Sequence, residues 1–120
     1  MDWLYDIEEI NVPEGIRESG GAGKYIASLR VFIDALDAYA NGIEDAYRNL
    51  DIKLYTIKTH SLRTSFVVVG ATALETMAEA LEAAGNRNDI EYISENTENF
   101  LSSCRRLYGK LAKIHSFREG

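Results

Sequence analysis

An all-α fold is predicted by three features of this sequence, and the expected arrangement is an antiparallel up-and-down four-helix bundle with a short N-terminal capping helix. Pro13 is the only proline in the 120 residues, so no helix need be interrupted after it. Glycine and asparagine recur at intervals of helical length, and between them apolar residues alternate at spacings of three and four. The connections between these segments are short, which favours antiparallel neighbours.

A short first helix is predicted from Pro13 to about Ser19. Proline suits the first position of a helix, where its missing N–H would have no intrahelical acceptor. The glycine-rich stretch SGGAGK then ends this helix.

The second helix is predicted from Lys24 to about Leu50 as a long amphipathic segment. Acidic residues mostly fall between its apolar positions, as they do when one face of a helix is exposed to water. The apolar series that we expect to face the core is Leu29, Ile33, Leu36, Ala40, Ile43, Tyr47 and Leu50.

A third and a fourth helix follow. Asp51 is expected to cap the third helix, which runs through Leu54, Thr59, Leu62 and Phe66 to Val69 and ends at Gly70. The fourth is predicted from Thr72 to Ala84, with Gly85 as its terminator. Its inward residues are Leu74, Ala78 and Leu81, and its outward residues are Glu75, Glu79 and Glu82.

The last helix is predicted to begin at Asn88, because Glu91 follows three residues later in the pattern of a capping box. Its apolar face is expected to point into the bundle like those of the preceding helices. The residues of this face are Ile93, Thr97, Phe100, Cys104, Leu107, Leu111 and Ile114.

Length and composition predict one soluble domain over residues 1–120. Hydrophobic residues make up 46% and charged residues 27% of the chain, as in ordinary globular domains. No apolar run approaches the roughly 20 residues that span a bilayer, and the start MDWLYDIEEI lacks the basic flank of a signal peptide. We therefore expect a cytoplasmic chain that does not bind membranes. Cys104 is the only cysteine, so no intrachain disulfide can form, and we expect it to be buried.

The net charge of −6 argues against nucleic-acid binding, which depends on clustered lysine and arginine. The stretch GGAGK does not complete a phosphate-binding loop, because Glu18 and Tyr25 stand where that motif requires glycine and a hydroxyl residue. The two histidines are far apart and no metal-ligand spacing is present, so no metal is expected. No serine or cysteine can be placed beside a histidine from the sequence. We expect a monomer. Because the acidic charge argues against nucleic acid, the expected partner is a protein.

His60 is the most informative residue. Counting about 100° per residue places it about 160° from the inward Leu62, and therefore in solvent. A solvent-exposed imidazole is often without a task, but a histidine with its ordinary pKa of about 6.5 is a usable nucleophile at cytoplasmic pH. Arg63, one turn away, could present a cationic fork to phosphoryl oxygens. The residues sharing the exposed side with His60 are Thr56, Ile57, Arg63, Thr64 and Val67.

The segment THSLRTSFVVVGATALETMAEALEAAG is similar to the signature of histidine phosphotransfer (HPt) domains, roughly A-H-x-L-K-G-S followed by G-A and L-x-x-x-A-x-x-L-E. Upstream, EGIRESGGAGKYIASLRVFIDAL resembles the N-terminal stretch of that family. The resemblance covers about residues 10–112. The residues in register with His60 are Leu62, Ser65, Gly70, Ala71, Leu74, Ala78, Leu81 and Glu82.

This resemblance implies a four-helix bundle in which His60 accepts a phosphoryl group from the aspartyl phosphate of a receiver domain and passes it to another receiver. It also implies no kinase activity of the chain's own. The partners would be receiver domains, a sensor histidine kinase or both, and the receiver would supply the Mg²⁺, so this chain itself would bind no cofactor. Whether the chain stands alone or belongs to a hybrid histidine kinase is left open. On this interpretation Arg63 takes the place of a lysine and stabilises the phosphoryl group, and Thr56, Ile57, Thr64 and Val67 contact the partner.

Thr64 departs from the family pattern, which has glycine four residues after the histidine. This departure keeps open a second interpretation, a helical-bundle adaptor that binds a receiver or another signalling protein without being phosphorylated. Lys58 falls near the inward side and is expected to extend to the bundle edge. His115 corresponds to no family position, and we assign it no role.

Overall fold

The computed structural model of the chain describes residues 2–112. The described residues form helices and turns and include no strand, as the all-α prediction requires. In chain order, the elements are a 3₁₀ helix Asp2–Asp6, α1 Val12–Ser19, α2 Ala22–Arg48, α3 Ile52–Val69, α4 Thr72–Asn86 and α5 Ile90–Leu111. No helix in this part of the chain is long and apolar enough to cross a bilayer.

Helices α2 to α5 form a four-helix bundle. Helix α3 packs between α2 and α4, and α5 closes the bundle by contacting both α4 and α2. The turns are short, at residues 49–51, 70–71 and 87–89, so consecutive helices run antiparallel. Helix α1 packs on α2 and α3 as an additional short helix. The predicted bundle with an N-terminal capping helix is confirmed.

Aromatic rings from three helices meet in the centre of the core. The ring of Phe66 on α3 packs edge-on against Phe32 of α2 and Phe100 of α5, at centroid distances of 5.7 and 6.2 Å. Such edge contacts add stabilisation beyond the burial of the rings themselves. They connect α3 to α2, which packs beside it, and to α5 across the core.

Helix α1 is attached to the end of α3 through two glycines. Gly70 ends α3 with φ of 79°, and its carbonyl accepts a hydrogen bond of 2.8 Å from the backbone N–H of Asn11. A Cβ at Gly70 would collide with the carbonyl oxygen of Asn11, and one at Gly15 would collide with the ring of Tyr25. The Tyr25 hydroxyl in turn donates to the Val69 carbonyl at 2.9 Å. These contacts leave no space for a side chain between α1 and the α3–α4 turn.

Several helix ends lie elsewhere than predicted, and helix α2 is bounded by Ala22 and Arg48 instead of Lys24 and Leu50. The sequence predicts Asn88 as the cap of α5, but Asp89 is the cap, and its side chain accepts from the Tyr92 N–H at 3.1 Å. Asn88 instead adopts a left-handed conformation with φ of 56° in the turn after α4. Helix α4 also continues past Gly85 to Asn86. Helix α5 ends at Leu111, and the predicted inward Ile114 lies outside the described residues.

Leu50 is exposed, although the apolar pattern assigns it to the core, and Leu54 near the start of α3 is exposed as well. Helix α2 ends at Arg48, so Leu50 lies in the turn with φ of 55°, and 67% of it is exposed. Leu54 lies in the first turn of α3, next to the completely buried Tyr55, so its exposure reflects the face of the helix that carries it. Both residues therefore leave apolar surface at the end of the bundle opposite α1.

Candidate functional site

His60 lies near the middle of α3 with its side chain 51% exposed, which confirms the predicted solvent-facing position. The residues on either side of it in sequence are less exposed, and Thr59 is completely buried. The backbone of the site therefore belongs to a packed helix rather than to a loop, so that only the imidazole reaches the surface.

Glu82 of α4 is the closest polar partner of His60. Its Oε2 lies 2.9 Å from Nδ1 of His60, and its Oε1 accepts a hydrogen bond of 2.7 Å from Nε of Arg63. The apolar spacing of α4 predicts an outward position for Glu82, but its side chain is only 17% exposed and points toward α3. A helical count would have found this position, because Glu82 lies only about 40° from the buried Ala78.

A close approach of α3 to α4 brings these groups together. One turn before His60, the Thr56 side chain fills the space where a Cβ of Gly85 would lie. Any larger residue at Gly85 would require the Thr56 side chain or one of the two helices to shift. Gly85 lies three residues after Glu82, so this contact helps set the separation across which Glu82 reaches His60.

Glu82 and Arg63 each stabilise the charged form of the other. Burial alone would raise the pKa of Glu82, but hydrogen bonds from Arg63 and His60 outweigh it and hold the pKa below its usual value of 4.5. The hydrogen bond to Glu82 likewise raises the pKa of Arg63. Glu82 is therefore an anion at neutral pH, held between a guanidinium and an imidazole.

The hydrogen bond to Glu82 determines which imidazole nitrogen is free. A carboxylate can only accept, so Nδ1 must carry the proton that it donates to Glu82. In a neutral ring the other nitrogen, Nε2, then carries the lone pair. Nη2 of Arg63 also lies 3.3 Å from Nδ1, but a guanidinium is a donor and cannot bond to a protonated nitrogen. The shorter contact to a charged acceptor decides the tautomer.

The residues predicted to contact a partner differ in exposure. Ile57 is 54% exposed, and Thr64 is exposed with its hydroxyl donating to the Ser61 carbonyl at 2.8 Å. Thr56 and Val67 are only half-buried to one side of His60, and the Thr56 hydroxyl donates to the Ile52 carbonyl at 2.7 Å. All four lie around His60, but Ile57 and Thr64 offer the most surface.

Lys58 and Cys104 have structural positions. Lys58 is half-buried and extends across α2, with Nζ 3.2 Å from where a Cβ of Gly42 would lie, which matches the expected path to the bundle edge. Cys104 is buried as predicted, and burial raises the pKa of its thiol to about 12. Within residues 2–112, no group of three or more histidine, cysteine or carboxylate side chains is placed to hold a metal ion. His115 lies outside the described residues.

Comparison with known proteins supports the fold. No protein-family model matches the chain, and no curated protein sequence does. The structure is similar to the crystal structure of the HPT domain from the Hpt sensor hybrid histidine kinase of Shewanella, with a TM-score of 0.82. The match covers 90% of this chain and 94% of the other at 14% sequence identity. At this identity the likeness shows a common helical fold, and the assignment of function must depend on the site.

Proposed function

We propose that this chain is a phosphorelay intermediate of the cytoplasm that accepts a phosphoryl group on His60 from the aspartyl phosphate of a receiver domain and passes it to another receiver. One observation carries the proposal. The exposed imidazole is held at Nδ1 by the carboxylate of Glu82, which leaves Nε2 as the free nucleophile. The fold, similar to that of an HPT domain, is consistent with this role.

In the transfer step the lone pair of His60 Nε2 attacks the phosphorus of the aspartyl phosphate. The N–P bond forms as the P–O bond to the aspartyl carboxylate breaks, and that carboxylate leaves with the electron pair. Because Nε2 carries no proton, none has to be removed during the step. The product ring bears a positive charge with Nδ1 still protonated, and Glu82 at 2.9 Å stabilises that charge. Transfer to the next receiver reverses these changes.

Arg63 is expected to stabilise the phosphoryl group. Its Nε is used in the hydrogen bond to Glu82, which leaves the N–H groups at the end of the guanidinium for other acceptors. One of these nitrogens already lies 3.3 Å from the imidazole. A phosphoryl group on the ring would bring anionic oxygens near this fork, and charge-assisted hydrogen bonds of this kind are the strong ones.

The partners that follow from this function are receiver domains, a sensor histidine kinase or both. The transferred group has two anionic charges to neutralise, and the receiver would contribute the Mg²⁺ that does so. This chain would contribute the nucleophile and a docking surface, with no kinase activity and no cofactor of its own.

The test is transfer from purified receiver domains phosphorylated on aspartate. Wild-type chain should acquire a label that is stable in alkali and labile in acid, as phosphohistidine is. His60→Gln should abolish the label, and His115→Gln is the matched control that should retain it. A label that persists in His60→Gln would contradict the assignment. Stable binding of a receiver without any label would instead make the chain a non-phosphorylated adaptor.

A further inference from the structure

The two turns at the end of the bundle opposite α1 have the same backbone geometry. In each turn the first residue after the helix has φ near −90°, and the next residue is left-handed, with φ of 55° at Leu50 and 56° at Asn88. The N–H of Leu50 donates to the Tyr47 carbonyl at 3.0 Å, and that of Asn88 donates to the Gly85 carbonyl at 3.1 Å. Each turn then ends in an aspartate that accepts a hydrogen bond of 3.1 Å from the N–H three residues later. The same turn motif therefore occurs twice at this end.

Leucine and asparagine differ in how well they suit the left-handed position of this motif. Asparagine adopts that conformation readily, whereas leucine seldom does. The geometry of the turn therefore does not explain the presence of Leu50. Burial does not explain it either, because 67% of the residue is exposed. A leucine that neither the turn nor the core requires is placed to contact another molecule.

Leu50 belongs to a larger apolar surface at this end of the bundle. Ile90 lies directly after the second turn, Leu54 lies in the first turn of α3, and each is 40% exposed. We refer to Leu50, Leu54 and Ile90 as the turn patch. Half-buried apolar side chains lie at the same end and pack against the core, namely Tyr47, Ile52 and Tyr92. Grouped apolar surface of this kind is typical of a site of protein association.

The charges around the turn patch nearly balance, in contrast to the net charge of −6 for the whole chain. Residues 45–53 and 84–93 form the two turns and the adjoining helix ends, and they include three cations and four anions. These are Arg48, Lys53 and Arg87, and Asp45, Asp51, Asp89 and Glu91. Two copies of this acidic chain therefore repel each other less at this end than elsewhere, and cations of one copy can face anions of the other.

The size of this end predicts a weak association. The bundle measures 26 × 20 Å across its two shorter directions. Two copies that meet end to end would therefore bury roughly 800–1,000 Å² in total, which is less than the roughly 1,200–2,000 Å² of a stable complex. At micromolar concentration the chain would remain the monomer that its sequence predicts.

We propose that the turn patch is a self-association surface, through which two copies of this chain pack end to end about a twofold axis. Such an interface uses the same patch on both copies, so Leu50 of each copy would lie against the apolar residues of the other. His60 lies roughly 12 Å along α3 from its first residue and projects from the side of the bundle, so both imidazoles would stay accessible. The turn patch includes none of the residues assigned to phosphotransfer, and the proposal does not depend on the proposed function.

The experiment gives Leu50 the residue that occupies the same position in the other turn. Leu50→Asn should weaken self-association about tenfold or more, because it removes the most exposed apolar side chain of the patch. It should also raise the melting temperature by roughly 2–4 °C, because asparagine relieves the strained backbone. Val31→Asn is the matched control, since Val31 is 70% exposed on α2 and lies away from both turns. Its dissociation constant should stay within about twofold of the wild-type value.

Sedimentation equilibrium of the full chain, from about 10 μM to about 1 mM, measures the dissociation constant, which we expect to be about 0.1–1 mM for wild type. Dilution should shift backbone amide resonances around the two turns and leave those around His60 unchanged. Wild-type chain that stays monomeric throughout would overturn the proposal, and a more stable Leu50→Asn would then assign the patch to a different protein.

Two results for the variant would also overturn the proposal. One is a Leu50→Asn chain that dimerises like wild type or no more weakly than Val31→Asn. The other is a lower melting temperature for Leu50→Asn, which would show that the fold itself requires the leucine. Neither measurement uses a receiver domain or a phosphoryl donor, so a failure of the proposed function would be seen separately, in the labelling of His60.

Discussion

Glu82 Oε2 and His60 Nδ1 lie 2.9 Å apart although 22 residues separate them in sequence. The contact crosses from α4 to α3, and Glu82 is held from the other side by Arg63. Since the glutamate contacts the nitrogen that would not be phosphorylated, it acts as a positioning residue for the imidazole.

Replacing Glu82 tests this positioning role. Glu82→Ala should slow transfer roughly tenfold to a hundredfold, because a hydrogen bond to a charged group contributes about 1.5–3 kcal/mol. Glu82→Gln keeps an acceptor oxygen without the charge and should fall between. ¹⁵N chemical shifts of the His60 ring should show the proton on Nδ1 in wild type and a mixture of tautomers in Glu82→Ala. Unchanged shifts in the alanine variant would refute the role, whatever happens to the rate.

Arg63 should affect transfer more than folding. Its ion pair with Glu82 is partly exposed, so Arg63→Ala should lower the free energy of unfolding only slightly. Transfer should slow measurably, and Arg63→Lys should recover part of the rate because a point charge remains. Thermal melts and single-turnover transfer would be compared across the three chains. If the variants transferred at the wild-type rate, Arg63 would have no role in transfer and would only form the ion pair with Glu82.

Thr64 is expected to crowd the approach to His60. Thr64→Gly should cost a few tenths to about 1 kcal/mol of helix stability while raising the rate of transfer from receivers that are not its natural partner. Thr76→Gly is a matched control, since Thr76 is also an exposed threonine within a helix and its hydroxyl also donates to a backbone carbonyl. The control should lose stability without any gain in rate. Equal or slower transfer to Thr64→Gly would show that this threonine is no obstruction.

The buried hydroxyl of Thr59 should destabilise the bundle. It has no hydrogen-bond partner within the described structure, although the side chain is fully buried. Thr59→Val keeps the shape, removes the unpaired hydroxyl, and should raise the free energy of unfolding by about 1 kcal/mol, or the melting temperature by roughly 3–5 °C. Thr97→Val is the contrasting variant, because it removes the 2.7 Å hydrogen bond to Tyr55 and should destabilise. A lower melting temperature for Thr59→Val would indicate that the hydroxyl has a bonding partner in solution.

Alkaline pH should destabilise the protein through Tyr25 and Tyr55, together with the buried thiol of Cys104. Burial raises the pKa of each tyrosine to about 12 from a usual value of 10. The neutral phenols therefore favour the folded state, and this contribution is complete below pH 10 and is lost as the pH rises toward 12. The urea midpoint should fall across that range as tyrosinate absorbance appears. Tyr25→Phe should weaken the pH dependence, and an unchanged slope would exclude Tyr25 as a cause.

The fold and His60 could be predicted because both depend on patterns within single helices. Apolar spacing reports which face of a helix is buried, and the exposed position of His60 followed from the same count. The pairing of Glu82 with His60 depends on the separation and rotation of two helices, and no local pattern contains that information. Asn88 and Asp89 are adjacent residues that can both cap a helix, and the left-handed conformation of Asn88 decided between them. The apolar spacing of α2 continues to Leu50, although the helix ends at Arg48. The spacing therefore predicts an inward position that Leu50 does not have.

The contact between α1 and the end of α3 restricts which residues these positions can hold, whereas the exposed face of α3 has no such restriction. Gly15 and Gly70 admit no side chain, and both lie far from the face that His60 presents. Across related genes, these two positions should therefore stay glycine whatever the protein binds. Exposed positions beside His60, such as Ile57 and Thr64, are under no such packing constraint and are free to change. Drift at those exposed positions would leave the bundle intact, whereas drift at either glycine would disrupt its packing.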